Sequence, residues 1–232
     1  MDAKKRRERI EQRREERRRK QMMNLLYIIV GALIVVGALA VPSLIPQKVT
    51  PAPEREHPLA EGNALGDPEA PVVVEVFSDF QCSACEVYYS NVEGEIIAAY
   101  VSTGDVYYVY RSMGPFLGAE SSSSAAAAYC AGDQGMYWEY HDIIYSNFSS
   151  GDTGGYSKKR LVAMADEIGL DTSEFKSCLN DDKYISLVNE DYVDGTQAGV
   201  TGTPSFFVND VLTFRGVPTF KEFEAAILAA RE

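Results

Sequence analysis

Three hydrophobic patterns follow one another along this chain. From Leu25 to Val41 no residue is charged and nearly every position is apolar. That is close to the shortest run able to cross a bilayer as a helix, which takes about 17–25 residues. Residues 46–63, which include QKVTPAPEREHPLAEGN, carry proline and charge without any apolar period and are read as a semi-extended linker. His57, within it, is expected to be solvated. Past Ala64 the period becomes that of folded structure. VVVEVF (Val72–Phe77), entered through Pro71, predicts a buried strand. A helical period runs from Ser83 to about Ser102, and DVYYVYRSM (Asp105–Met113) alternates as a second strand. Strand, helix and strand form a βαβ unit with a right-handed crossover.

Residues 119–200 change character. Stretches such as AESSSSAAAAYC, MYWEYHDIIY, SKKRLVAMADEIGL and DTSEFKSCLNDD predict consecutive helices split by glycine-containing turns. Asp171-Thr172-Ser173 offers N-cap chemistry before Glu174. KYISLVNEDYVDGTQAGV predicts one more helix ending near Gly199. PSFFVND and VLTFRG then read as two strands meeting at Asn209-Asp210, a hairpin connection. TFKEFEAAILAARE closes the chain as a helix. A sheet in two parts, interrupted by a helical insertion, predicts one α/β domain over residues 64–232.

Charge changes the picture at the N-terminus. The net charge of −12 divides into +6 over residues 1–20 and −18 over the remainder. Such an acidic body argues against a nucleic-acid binder. Residues 1–23 are read as a basic cytoplasmic arm and residues 24–45 as a transmembrane signal-anchor, because the Lys/Arg cluster precedes the apolar run. Ala38-Leu39-Ala40 has the form of a signal-peptidase site, which is the competing reading; the long basic region favours an uncleaved anchor. Both place the body outside the cytoplasm, where disulfides persist.

The four cysteines fall into a close pair, Cys82 and Cys85, and a distant pair, Cys130 and Cys178. Cys82 lies where a strand ends and a helix begins, and unpaired N–H groups there stabilise a thiolate. Cys85, one turn on, can meet it on the same face, which predicts an exposed nucleophile and a buried resolving thiol. A zinc site needs four ligands, and neither the isolated Cys130 and Cys178 nor the two histidines have ligand spacing. A purely structural Cys82–Cys85 bond closes too small a loop to stabilise much. A redox-active pair is therefore expected, with no metal and no cofactor. Cys130 and Cys178 are expected to form a structural disulfide between two helices of the insertion, free buried thiols being the alternative.

FSDFQCSAC, AAAAYCAGDQGMYWEYHDIIY and GVTGTPSFFVN together resemble the DsbA-type branch of the thioredoxin-like superfamily, the membrane-anchored thiol:disulfide oxidoreductases, over about residues 66–232. The resemblance implies that Cys82 and Cys85 are the catalytic pair. It also implies that Pro204 follows a cis peptide bond and that Thr203 meets substrate strands beside the sulfurs. The helical insertion matches that branch's cap.

Two departures stand out. Ser83-Ala84 between the cysteines supplies no positive charge, so the helix terminus is expected to do more of the work and Cys82 to be less acidic than in the strongest oxidants of the branch. The buried acid that relatives often carry six residues before the first cysteine is replaced by Val76. Glu75 is expected on the opposite face, and Asp79 is either its substitute or a loop residue. His141 is expected to be a packed cap residue.

The implied function is an extracytoplasmic enzyme donating disulfides to exported thiol-containing proteins, reoxidised by a quinone-linked membrane partner of the DsbB-like or VKOR-like kind. A reductase or isomerase kept reduced by a membrane electron donor, and a peptide-binding holdase, are the alternatives.

Overall fold

The computed structural model describes residues 13–14, 17–32, 34 and 48–231. It divides into two units, residues 1–46 and 47–232. In the first, residues 17–32 are helical (α1). No helix among the described residues is long and apolar enough to cross a membrane. The rest of the predicted anchor, residue 33 and residues 35–45, lies outside the described residues.

The second unit is built on a five-stranded sheet of β1 (Ala64–Leu65), β2 (Val72–Ser78), β3 (Val106–Ser112), β4 (Ser205–Val208) and β5 (Val211–Arg215), in the order β1-β3-β2-β4-β5. β2 runs parallel to β3 and antiparallel to β4. Alternation along β2 puts Val72, Val74 and Val76 into the main core, where Tyr108 and Tyr110 of β3 join them. Phe77 turns to the other face and packs with Met113, Val200 and Phe207. The β4–β5 hairpin turns at Asn209 and Asp210, both with positive φ (46° and 64°), the geometry of a two-residue hairpin that suits Asn and Asp.

Helix α2 follows β2 directly. It starts as Ser83–Tyr88 and continues through π-helical turns at Tyr89–Glu93 and Ile97–Val101, with Gly94–Ile96 between them. The insertion contains α3 (Ala119–Gly132), α4 (Tyr137–Ser146), α5 (Lys158–Glu167), α6 (Thr172–Asn180) and α7 (Ile185–Gln197), and α8 (Phe220–Ala230) ends the domain. Asp171 caps α6 by accepting from Ser173 N and Glu174 N. Thr219 and Glu222 form a reciprocal capping box on α8. A Cys130–Cys178 bond joins α3 to α6 with a Cα–Cα distance of 5.9 Å.

Helix α7 covers the Phe77 face of the sheet. A side chain at Gly195 would come within 2.7 Å of both Met113 and Phe77, so only glycine lets the helix approach this closely. Arg111 of β3 pins the same helix through Asp191 (2.6 Å) and Asp194 (2.6 Å), and reaches Glu75 at 3.4 Å. Glu75 thus faces away from the main core.

Residues 48–58 form a strap lying against the domain. Thr50 and Asn147 exchange two hydrogen bonds of 2.8 Å. Arg55 donates to the Tyr89 carbonyl at 3.0 Å and lies over the Tyr89 ring. His57 contacts Asp142 at 3.0 Å and Glu139 at 3.6 Å with a side chain only 11% exposed. The expectation of a solvated His57 is therefore corrected. Nothing in its local sequence signals the two carboxylates that α4 brings to it.

Candidate functional site

Cys82 is the N-cap of α2, and Cys85 lies within its first turn. Neither sulfur is bonded to another; Cys82 is partly exposed and Cys85 buried. This is the dithiol state. As a thiol, Cys82 donates to the Thr203 carbonyl at 3.3 Å. Thr203-Pro204 is a cis peptide unit at the entry to β4, and β4 pairs with β2, which leads into Cys82. Two pairs of residues more than a hundred positions apart in sequence thus meet at one end of two neighbouring strands.

The environment separates the two thiols. Cys82 is lowered to about 5: the Cys85 thiol donates to its sulfur, and although burial opposes the charge, the Thr203 hydroxyl and the Cys85 and Ala84 N–H groups favour it. The buried Thr203 hydroxyl has no partner in the thiol state, so it is free to serve the thiolate. Cys85 is pushed well above its ordinary value, first by burial and then by its bond to Cys82. The sequence assigned the acidity of Cys82 to the helix terminus; the thiol one turn away contributes more.

The linkage has a definite sign. A folded-state value below the unfolded one stabilises the dithiol form above the unfolded pKa, and that stability is lost as pH falls through about 5. The dithiol protein is therefore expected to melt above the disulfide form at pH 7, with the gap closing by pH 4. Scanning both forms across that range checks it; a gap independent of pH would contradict the assignment.

The segment between β2 and α2 is held from several sides. Asp79 is fully buried; its Oδ1 accepts from Gln81 N (2.8 Å) and from Ser121 Oγ of α3 (2.5 Å), and its carbonyl accepts from Cys82 N at 3.0 Å. Tyr156 donates to the Phe80 carbonyl at 3.1 Å, and Gln81 Nε2 to the Gly151 carbonyl at 2.8 Å. Behind Cys85 runs a line of hydroxyls: Ser78 to Tyr145 at 3.0 Å, and Tyr145 to Tyr110 at 3.1 Å. The cap therefore clamps the reactive loop as well as roofing it.

A second polar cluster lies under the strap. Glu93 and Asp142 are buried carboxylates. His141 Nδ1 contacts Asp142 at 3.0 Å, and its Nε2 lies 3.7 Å from Glu93. Burial raises Glu93. Burial alone would also raise Asp142, but hydrogen bonds from His141 and His57 outweigh it and lower it. Glu93, His141 and Asp142 bring donor atoms within 4.8 Å of one another, a spacing compatible with a metal ion. Arg55 and His57, however, already supply positive charge there (3.6 and 3.0 Å). The cluster reads as an ion-pair network fastening the strap, and His141 as a packed cap residue.

The sheet order, the Cys-x-x-Cys helix terminus, the proline facing it and the inserted helices define a thioredoxin-like protein with a DsbA-type cap. The family model described as "Thioredoxin" matches residues 60–229, and the chain belongs to that family.

Among relatives, a "Probable disulfide bond formation protein D" of Bacillus cereus is 29% identical over 85% of this chain and 91% of its own length. A "Putative protein-disulfide oxidoreductase" of Rickettsia bellii is 29% identical over 64% of this chain, and a "Na(+)/H(+) antiporter NhaA 1" of Salinispora arenicola is 32% identical over 68% of it. The chain spans only 57% and 22% of the lengths of those two proteins. Oxidised BdbD from Bacillus subtilis shares the fold with a TM-score of 0.67 at 21% identity, covering 78% of this chain and 99% of that one. Chlamydia trachomatis DsbA gives a TM-score of 0.64 at 25% identity over 81% and 97% of the two chains.

Proposed function

We propose that this protein is an extracytoplasmic thiol:disulfide oxidoreductase that donates the Cys82–Cys85 disulfide to exported proteins carrying free thiols. The observation that carries this reading is the asymmetry of the pair: a partly exposed Cys82 with its thiolate favoured, over a buried Cys85 with its thiolate disfavoured. A substrate thiolate attacks Cys82, the Cys82–Cys85 bond breaks, and Cys85 leaves with the electron pair. A second substrate thiol then attacks the mixed disulfide, forms the substrate's disulfide and releases Cys82 as a thiolate. A stable Cys82 thiolate favours that release, and so the donating direction. Thr203, with its carbonyl beside Cys82 and its neighbour Pro204 opening β4, is placed to hydrogen-bond a substrate segment as an added strand.

The remaining roles follow from the same reading. The basic residues 1–23 and the apolar residues 24–45 hold the domain at the outer membrane–water boundary as a signal-anchor. Reoxidation falls to a membrane quinone-linked partner of the DsbB-like or VKOR-like kind, whose encounter with the domain tethering accelerates. The Cys130–Cys178 bond staples the cap.

Two variants and a trapping measurement test the activity. Cys82→Ser is expected to abolish oxidation of a dithiol peptide. Cys85→Ser, which cannot form the pair's disulfide, is expected to lose the same activity. Offered a disulfide-bonded peptide instead, it is expected to accumulate the Cys82–peptide mixed disulfide as one peptide thiolate leaves, because the Cys85 thiol that would release it is gone. Alkylation of intact cells should find the pair mostly oxidised. Full activity in Cys82→Ser would refute the enzyme, and a mostly reduced pair would reverse the direction to reductase or isomerase.

A further inference from the structure

The cysteine pair sits at the start of α2, so whatever holds that helix also fixes how the two sulfurs meet. The start of the helix is set by β2 and by the contacts from the cap. Its next turn is gripped by a residue of the strap. Arg55 Nη2 donates to the Tyr89 carbonyl at 3.0 Å. Tyr89 lies one turn beyond Cys85, and its own N–H donates to the Cys85 carbonyl. It is also the first residue of the π-helical turn Tyr89–Glu93. Where a helix passes from α to π register its i→i−4 ladder is interrupted, and such turns recur at functional sites.

Arg55 holds both ends of that turn. Its guanidinium carbon lies 3.8 Å from the centroid of the Tyr89 ring, and its Nη1 faces the buried carboxylate of Glu93, the last residue of the turn, at 3.6 Å. The Tyr89 ring also stacks on Tyr145 of α4, with centroids 4.8 Å apart and planes at 19°. Tyr145 Oη is bonded to Ser78 Oγ at 3.0 Å, and the Ser78 hydroxyl donates to the Cys85 sulfur. Two contiguous routes therefore run from Arg55 to Cys85: one turn of helix backbone, and the contacts Tyr89–Tyr145–Ser78. Fastening the strap requires no such reach. His57 fastens the same strap through Glu139 and Asp142 of α4 rather than through α2.

We propose that Arg55 is a positioning residue of the redox pair: by holding the π-helical turn of α2 it keeps the Cys85 thiol aimed at Cys82, and so makes the pair a stronger oxidant. This rests on the oxidoreductase reading above and deepens it. The turn has two discrete registers, π while Arg55 grips it and α once it is released, so it is a two-state element between the strap and the sulfurs. The bond from the Cys85 thiol is the largest influence favouring the Cys82 thiolate. Release of the turn weakens that bond, and Cys82 then titrates at higher pH. A less stable thiolate stabilises the dithiol form less, which lowers the tendency of the disulfide to be reduced by substrate. The strap thereby sets the strength of the oxidant as well as closing over α4.

The test compares Arg55→Met with His57→Phe, each in the full chain, by two readouts. One is the ultraviolet absorbance of the Cys82 thiolate during acid titration. The other is equilibrium with glutathione at pH 7, in which the Cys82–Cys85 disulfide and two glutathione thiols give the dithiol and one glutathione disulfide. Arg55→Met is expected to raise the Cys82 midpoint by about one pH unit. It is also expected to lower the equilibrium constant about tenfold, equivalent to about 30 mV. His57→Phe, which loosens the same strap, is expected to leave both values as in the wild type. Where Arg55→Met does not fold, Arg55→Lys is read in its place with the same direction of shift, since one ammonium cannot serve the carbonyl and Glu93 together as the forked guanidinium does. Wild-type values in the Arg55 variant would overturn the proposal. So would an equal shift in His57→Phe, which would trace the effect to strap seating and not to the grip on α2. A wild-type protein that forms no Cys82–Cys85 disulfide at any glutathione ratio would instead refute the redox reading beneath it.

Discussion

Replacing Arg55 by Met and His57 by Phe together is expected to destabilise the domain by about 3–5 kcal/mol, the cost of stripping partners from buried charges. Arg55 lies 3.6 Å from Glu93 and His57 lies 3.0 Å from Asp142, and both carboxylates have side chains no more than 4% exposed. Removing the cations leaves two negative charges under the cap with His141 between them. The pH dependence has a definite sign. Burial alone would lower His57, but the hydrogen bonds it donates to Asp142 and Glu139 outweigh it and raise it to about 9, above its ordinary 6.5. Its contribution is therefore complete below about pH 6.5 and lost as pH rises through about 9. Urea unfolding at pH 6 and pH 10 checks both statements. Equal stability of variant and wild type at pH 6 would mean that the strap is not anchored through these residues.

The second large effect concerns the cap. Converting Cys130 and Cys178 to alanine opens a loop of sequence separation 48, for which loop-closure entropy alone predicts a loss of about 4 kcal/mol. Because α3 carries Ser121 as well as Cys130, the variant is also expected to loosen the clamp on Asp79. Denaturant titration of the double variant, with the Cys82–Cys85 pair held reduced in both proteins, measures the loss. A change below about 1 kcal/mol would show that the loop's entropy is already restricted by other contacts in the unfolded chain.

Most of the sheet was legible because its strands obey simple patterns. Val72, Val74 and Val76 alternate with Glu75, the Tyr108/Tyr110 face repeats every second residue, and Asn209-Asp210 announces its turn. The position of the close cysteine pair was legible for the same kind of reason: it occupies four consecutive positions at a strand–helix boundary. Three things were not. Strand β1 is only Ala64–Leu65, too short to show a period, and exists because it pairs with β3. The polar networks were hidden too, since each is assembled from distant segments. Asp79 meets Ser121 across 42 positions, and His57 meets Asp142 across 85. Local composition carries no trace of such partners, and a histidine between charged residues and prolines looks the same whether solvated or docked. The π-helical turns of α2, which accompany the burial of Glu93, leave no simple period either.

One consequence lies in the placement of Trp138, the chain's only tryptophan. Its indole donates to the Ala64 carbonyl at 3.1 Å and sits 4.9 Å from the His141 ring and 6.2 Å from that of His57. The molecule therefore carries an optical probe whose emission, open to quenching by a nearby imidazolium, reports whether the strap is seated, and does so without any added label.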